Sequence, residues 1–145
     1  MIRPLQESDY NDWLPLWNAN NLGQINDALT KRTWARLSNP SDAAMQGLAF
    51  IEAGHVIGML HFILHPTTGN LKDVCYMQDL FVMPAHRGKG IAKALLRELE
   101  KMGIAQGWAR IYWLADNTNA EAQALYRNLG VRLNFSLHVL PTGKI

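Results

Sequence analysis

The sequence has one cysteine, no long apolar run and little net charge, and each shortage excludes a class of protein. Cys75 has no second cysteine with which to form an internal disulfide, so an apolar core must hold the fold together. The longest apolar run, residues 56–64, is shorter than the roughly 20 residues that span a bilayer. A net charge of +2 is too small to indicate nucleic-acid binding by itself. We therefore expect neither a membrane nor nucleic acid as a partner.

The residues that are present indicate one compact domain. The chain has 145 residues, of which 48% are hydrophobic and 18% are charged. This size and composition are typical of a globular protein with a single core, so we predict one domain over residues 1–145. The N-terminal segment MIRPLQESDY lacks the basic stretch and apolar stretch of a secretory signal. A cytoplasmic location is therefore expected.

Local patterns in the first half of the chain predict helices followed by strands. The segment IRPL is typical of a short edge strand, and Ser8 or Asp9 is a suitable cap for the helix that follows. The other elements predicted in this half are a helix over 29–37, strands over 47–52 and 56–65, and a loop over 66–70.

The second half alternates strands with helices. Strands are predicted over 73–83 and 110–115, and helices over 88–106 and 120–129. The capping box Thr118-Asn119-Ala120-Glu121 precedes the second of these helices, and Gly130 follows it. The last run, VRLNFSLHVL at 131–140, alternates apolar and polar residues and predicts a final strand. This order of elements predicts an α/β fold, a mixed sheet with helices on both faces.

The segment MPAHRGKGIAKALL, residues 83–96, combines a strand end, a glycine turn and a helix start. Unpaired backbone N–H groups and the helix dipole make such a turn a suitable site for an anion. The spacing excludes two common phosphate sites. A Walker A loop would need glycine at Met83, and a dinucleotide-binding fingerprint would need glycine at Lys93.

Two motifs resemble the GNAT superfamily, the acyl-CoA-dependent N-acyltransferases. The turn fits the pattern [QR]-x-x-G-x-[GA] through Arg87, Gly88, Lys89, Gly90, Ile91 and Ala92. The downstream pattern N-x-x-A-x-x-L-Y-x-x-x-G fits Asn119, Ala122, Leu125, Tyr126 and Gly130. The hydrophobic segment LFV-x-P before the turn also fits the pattern of this superfamily. The segment CYMQDLFV and the tryptophans of the first helices resemble a subgroup of this superfamily. Its members acetylate histone tails, polyamines and D-amino acids.

The resemblance implies a fold, a donor and a set of donor-binding residues. The expected fold has a mostly antiparallel central sheet with one splayed parallel strand pair and helices on both faces. The expected donor is acetyl-CoA, whose pyrophosphate binds the turn formed by residues 87–92. The strand residues Leu80, Phe81 and Val82 are expected to pair with pantetheine, and backbone N–H groups around Phe81 and Val82 are expected to bind the oxyanion. Asn119, Ala122 and Tyr126 are expected to contact the pantetheine and thioester end.

The resemblance also assigns the acid more firmly than the base. Tyr126 is the expected general acid, because a phenol can donate its proton to the departing thiolate. Polyamine-acetylating relatives carry an acidic pair where this chain has Gln78-Asp79, and glutamine cannot accept a proton. Asp79 is therefore the expected base, although strand alternation places it on the opposite face from Gln78. Gln78 and Trp34 are expected to contact the acceptor.

Several alternatives stay open on sequence alone. The leading prediction is direct acetyl transfer from acetyl-CoA to a primary amine of a small molecule, such as a polyamine or an amino acid. The acceptor could instead be a protein lysine or N-terminus, or the chain could be a non-catalytic acyl-CoA-binding module. A homodimer formed through residues 131–140 is plausible, and packing against the core would equally explain the apolar face of this predicted strand. We expect no metal, because His61 and His65 lie about 13 Å apart along one strand.

Overall fold

The computed structural model describes residues 1–143, which form two compact units, one over Met1–Leu114 and one that begins at Ala115. The first unit contains β1 (Ile2–Pro4), α1 (Tyr10–Asn20), α2 (Asp27–Leu37), β2 (Met45–Glu52), β3 (His55–Thr67), β4 (Asn70–Val82), α3 (Ile91–Gln106) and β5 (Ile111–Tyr112). Short 3-10 turns lie at Glu7–Asp9 and Pro84–His86. The described part of the second unit, residues 115–143, contains one helix, α4 (Ala120–Arg127).

The strands form one five-stranded sheet in the order β1-β2-β3-β4-β5. The pairs β1–β2, β2–β3 and β3–β4 are antiparallel, and the pair β4–β5 is parallel. This arrangement confirms the predicted mostly antiparallel sheet with one parallel pair. The parallel ladder has only two residue pairs, Cys75 with Ile111 and Tyr76 with Tyr112. Within residues 1–143, the part of β4 after Tyr76 therefore has no strand on its β5 side.

Helices cover both faces of the sheet. On one face, α1 and α2 contribute Trp13, Trp17 and Trp34 to a buried cluster that includes Met59 of β3. On the other face, Gly58 lies against Ile91 and Leu95 of α3, where an added Cβ would approach within 3.1 Å of Ile91. Successive residues of a strand face opposite ways, so neighbouring positions 58 and 59 serve the two cores.

Most predicted elements are confirmed, with shifted ends. Residues 66–70 are not a loop, because β3 and β4 extend into a tight hairpin. Helix α2 begins at Asp27, and the side chain of Asn26 caps it by accepting from the Leu29 N–H at 3.0 Å. Asp9 precedes α1, but its carboxylate binds Arg3 and the Gln6 N–H and does not cap the helix.

The predicted last strand is wrong. Residues 131–140 form no strand in the described chain, and their apolar side chains are exposed. Alternation is a local property, whereas a strand needs a neighbouring strand to satisfy its backbone groups. Strand β5 is likewise shorter than predicted, because its pairing with β4 ends after two residues. Among the described helices, none is both long enough and apolar enough to cross a membrane.

Candidate active site

The turn between β4 and α3 has the backbone geometry of an anion site. Gly88 and Gly90 have φ angles of +77° and +79°, in the left-handed region that favours glycine. A Cβ at either position would meet nothing within 4 Å, so the glycines are needed for the backbone angle and the turn faces open space. No side chain of the described residues caps α3, whose N-cap is Gly90. The N–H groups of its first turn can therefore bind an anion.

Arg87 attaches this turn to the end of β4. Its Nε donates to the Val82 carbonyl oxygen at 2.9 Å, and its guanidinium carbon lies 5.1 Å from the centre of the Phe81 ring. Lys89 and Lys93 are exposed beside the turn. The charge of Arg87 is thus held near the strand, and the charges of the two lysines face the solvent.

The hydrogen-bonding pattern of β4 leaves two N–H groups on its unpaired edge. Met83 N–H donates to the Ile57 carbonyl at 2.9 Å, so the N–H group of residue 83 faces β3. Bonded and non-bonded pairs alternate in an antiparallel ladder, so Phe81 is bonded to β3 while Leu80 and Val82 face the other edge. The bond from Arg87 to the Val82 carbonyl fits this alternation.

A β-bulge at Gln78 produces this orientation. The register of β4 against β3 shifts here, so Gln78 is the extra residue between two aligned pairs. Before the bulge, Cys75 N–H donates toward β5, to the Arg110 carbonyl at 2.9 Å. After the bulge, the residues facing that edge are Leu80 and Val82. The bulge thus redirects the end of β4 where the parallel ladder has already stopped.

The two candidate acceptor-site residues on β4 differ in their surroundings. Gln78 is exposed. The side chain of Asp79 is 19% exposed, and its Oδ2 lies 2.9 Å from His61 Nδ1. Asn20 Nδ2 donates to Asp79 Oδ1 at 3.1 Å. Sequence reasoning considered His61 only as a metal ligand. A histidine inside the apolar run VIGMLHFIL was the available signal, because such a side chain is buried and requires a hydrogen-bonding partner.

Asn20 also lines a cleft between the end of α1 and the start of α2. The cleft has a volume of about 520 Å³. Its lining residues are Asn20, Asn21, Leu22, Gln24, Ile25, Asn26 and Leu29. Four of these side chains are amides, and none is charged. The cleft therefore offers hydrogen-bonding groups that connect, through Asn20, to the carboxylate of Asp79.

Trp34, a predicted acceptor contact, lies in the core. It is 9% exposed, and its ring centre lies 4.6 Å from that of Trp13 and 5.5 Å from that of Tyr10. These surroundings favour packing, and its contact with an acceptor stays a prediction.

The second motif lies in the second unit. Asn119 caps α4, where its side chain accepts from the Ala122 N–H at 3.1 Å, and Thr118 instead donates to Asp116. Tyr126 lies one helical turn after Ala122 and is half-buried. Burial raises the pKa of the Tyr126 phenol above its ordinary value of 10. The phenol therefore keeps its proton at neutral pH, as a general acid must.

Neither the cysteine nor a metal group adds a further reactive centre to the described residues. Cys75 is fully buried, and burial raises the pKa of its thiol to about 12. A protonated, inaccessible thiol is a poor nucleophile. Residues 1–143 contain no group of three or more His, Cys, Asp or Glu side chains placed to hold a metal ion.

Residues 6–131 match the acetyltransferase (GNAT) family. The D-amino-acid N-acetyltransferase HPA3 of Saccharomyces cerevisiae is 28% identical over 142 residues, which cover 95% of this chain and 88% of that protein. The aminoglycoside N(6')-acetyltransferase type 1 of Acinetobacter haemolyticus is 27% identical over 136 residues, or 89% of this chain and 88% of that protein. The structure of AAC(6')-Iy in complex with a bisubstrate analogue, CoA-S-monomethyl-acetylneamine, has a TM-score of 0.84 at 17% identity and covers 99% of this chain and 98% of that chain.

Proposed function

Because the chain belongs to the acetyltransferase (GNAT) family and is an N-acetyltransferase, we propose that it moves the acetyl group of acetyl-CoA directly to a primary amine of a small molecule. The observation that carries the proposal is the open glycine turn between the unpaired end of β4 and the uncapped start of α3. The named relatives that act on D-amino acids and on aminoglycosides support an amine acceptor.

In this proposal the turn and the strand edge bind the donor. The backbone of residues 87–92 binds the pyrophosphate, and Lys89 adds positive charge. The edge of β4 at Leu80 and Val82 pairs with the pantetheine arm, while Phe81 supports Arg87 from the side. One of the two free N–H groups then lies beside the thioester oxygen and stabilises the negative charge that develops there. Asn119 and Ala122 contact the pantetheine from α4.

The chemistry proposed for the site is a direct transfer. The acceptor arrives as an ammonium ion, and Asp79 receives one of its protons, directly or through water. The neutral amine forms a bond to the thioester carbonyl carbon, and the C–S bond breaks. Tyr126 donates its proton to the departing thiolate and is restored by the second proton lost from the amine nitrogen. The products are the N-acetylated amine, coenzyme A and one proton released to solvent.

A small acceptor is favoured by the cleft that Asn20 lines, because the Asn20 side chain also donates to Asp79 Oδ1. The cleft volume of about 520 Å³ lies within the range of about 300–1,000 Å³ that is common for small-molecule sites. We propose that the acceptor amine binds between this cleft and Asp79, with Gln78 as a neighbouring contact. A D-amino acid, a polyamine and an aminoglycoside are the acceptor classes to test first.

Thermal unfolding with acetyl-CoA, and with ATP and NAD as controls, tests the donor. A ligand at about 100 times its dissociation constant adds about 2.7 kcal/mol, which raises Tm by about 5–10 °C for a chain of this size. Lys89→Ala should reduce the shift, and Lys101→Ala, on the same helix about 15 Å from its start, should not. A Tm unchanged by acetyl-CoA would contradict the proposal.

Release of coenzyme A thiol with D-alanine, spermidine and neamine tests the acceptor. Acetyl-CoA-dependent thiol release with one of these amines, together with an acetylated product by mass spectrometry, is the expected result. A Tm shift with acetyl-CoA but no transfer to any amine, including a lysine-bearing peptide, would indicate a non-catalytic acyl-CoA-binding module. Transfer to the peptide alone would indicate a protein acceptor.

We also propose that two copies of the chain associate through residues 131–140. Five alternating apolar side chains of this segment are exposed: Val131, Leu133, Phe135, Leu137 and Val139. A globular protein rarely exposes so many large apolar side chains within one short segment without a partner. The same segment in a second copy is a self-complementary partner related by a two-fold axis.

A further inference from the structure

A chain of four hydrogen-bonded side chains connects the buried core to Asp79. Trp13 Nε1 lies 3.0 Å from His61 Nε2, and His61 Nδ1 lies 2.9 Å from Asp79 Oδ2. Asn20 donates to the other oxygen of Asp79. Trp13 is fully buried and His61 is 3% exposed, so water has little access to the imidazole.

The chemistry of the partners fixes the protonation of His61. An indole N–H can only donate a hydrogen bond, so His61 Nε2 must carry a lone pair and accept it. The remaining proton of the neutral imidazole is therefore on Nδ1, which donates to Asp79 Oδ2. Asn20 donates through its NH₂ group, so each oxygen of the Asp79 carboxylate accepts one hydrogen bond. An ionised carboxylate has about four acceptor sites, so about two stay available to a substrate or water.

We propose that His61 is a positioning residue for Asp79: Trp13 holds it as the neutral Nδ1–H imidazole, whose hydrogen bond orients the carboxylate to receive the proton of the acceptor amine. The inference rests on the proposed function, in which Asp79 is the base. His61 itself takes no proton in the reaction, because its only other nitrogen is occupied by Trp13. The amine proton moves to Asp79 and then to solvent, and Nδ1–H stays on His61 throughout.

A purely structural explanation is that the network only satisfies a buried indole. The core contains a matched case. Trp17 Nε1 donates to Thr30 Oγ1 at 3.0 Å, in the same tryptophan cluster, and Thr30 is also buried. Thr30→Val and His61→Leu each leave one buried indole N–H without an acceptor, but only His61 contacts Asp79. The two variants therefore separate a loss of stability from a loss of positioning.

The first measurement is kcat and KM of the full chain with saturating acetyl-CoA and the most active of D-alanine, spermidine and neamine. We expect Asp79→Asn to lower kcat by about 100-fold, as the loss of a general base does, and His61→Leu to lower it by about 10-fold. His61→Asn, whose amide nitrogen can replace Nδ1 as the donor, should restore most of kcat. Thr30→Val should lower Tm and leave kcat unchanged.

The double variant decides whether His61 acts through Asp79. If it does, Asp79→Asn with His61→Leu has the same kcat as Asp79→Asn alone, because the group being positioned is already absent. If the fold-losses of kcat in the two single variants instead multiply in the double variant, the inference is overturned. A His61→Leu variant with unchanged kcat would also overturn it. An Asp79→Asn variant with wild-type kcat would overturn both this inference and the assignment of Asp79 as the base. Because such a variant still transfers acetyl groups, the proposed donor and reaction would be unaffected.

Proton–nitrogen correlation spectra of the nitrogen-15-labelled wild-type chain supply a readout that does not depend on turnover. The His61 signal, assigned by its loss in His61→Asn, should show a protonated Nδ1 and an unprotonated Nε2. An imidazolium, or a proton on Nε2, would overturn the inference even if His61→Leu fails to fold. If no amine is acetylated, the proposed function fails, and this spectrum still decides the state of His61.

Discussion

Tyr126 shows at the scale of one residue how burial prepares an acid. Its phenol has a pKa raised above 10, so it is protonated throughout the neutral range. Ionisation of the Tyr126 phenol would lower activity only at a pH near or above its raised pKa. We therefore predict that kcat shows no basic fall due to this group below about pH 10, and the measurement is kcat between about pH 7 and pH 10. A fall near neutral pH that disappears in Tyr126→Phe would contradict this.

Removal of the Tyr126 hydroxyl should affect turnover more than donor binding. We expect Tyr126→Phe to lower kcat by about 100-fold, because the thiolate must then leave without a general acid. The dissociation constant of acetyl-CoA should change little, since the ring is retained. Tyr10→Phe, in the tryptophan cluster of the first unit, is the control. Unchanged turnover in Tyr126→Phe would remove this residue from the mechanism.

Cys75 gives a prediction for stability at high pH. Its thiol has a pKa of about 12 in the folded chain and the ordinary value of 9.0 when unfolded. Between these values the unfolded chain has lost the proton and the folded chain has kept it, so stability falls as pH rises. Urea unfolding at about pH 8 and pH 10 should show this fall, and Cys75→Ala should reduce it. The same slope in both chains would contradict the assignment.

At the scale of elements, the turn between β4 and α3 allows a matched test of two glycines. Gly90 and Gly54 have φ angles of +79° and +80°, and a Cβ at either position would meet open space. Alanine should cost about 1–2 kcal/mol at each, because left-handed backbone is strained for any residue with a Cβ. Only Gly90→Ala should weaken acetyl-CoA binding, measured by calorimetry, since Gly54 is in the β2–β3 hairpin. Equal affinities would exclude this turn from the donor site.

The elements also show what local sequence determines. The helix starting after Asn119 was predicted from its cap, and the cap bond to Ala122 is present. The β-bulge at Gln78 could not be predicted from local sequence. It depends on which residues of β3 pair with which residues of β4, and this register is known only from the sheet. The link from His61 to Asp79 has the same origin, since an aligned cross-strand pair brings together residues 18 positions apart. Local patterns thus located the turn and Tyr126, while the surroundings of the base required the sheet.

At the scale of the whole molecule, each of the two compact units carries one half of the motif pair. The glycine turn lies in the first unit, and Asn119 and Tyr126 lie in the second. The same second unit also contains the exposed segment 131–140. Donor binding is proposed for the glycine turn, the β4 edge and α4, and self-association for residues 131–140. Variants in these two sets of residues therefore test the two properties separately.

The association of two chains is the prediction that belongs to this scale. A chain of 16.3 kDa should sediment as a dimer, because pairing of the 131–140 segments would cover side chains such as Phe135, which is 85% exposed. Phe135→Asp places a charge in that row and should yield a monomer. Leu71→Asp, at an apolar position that is at least as exposed and lies next to the β3–β4 hairpin, should remain a dimer. A wild-type monomer over the accessible concentration range would contradict the pairing, and the apolar row would then have to be covered by a different partner or by the chain itself.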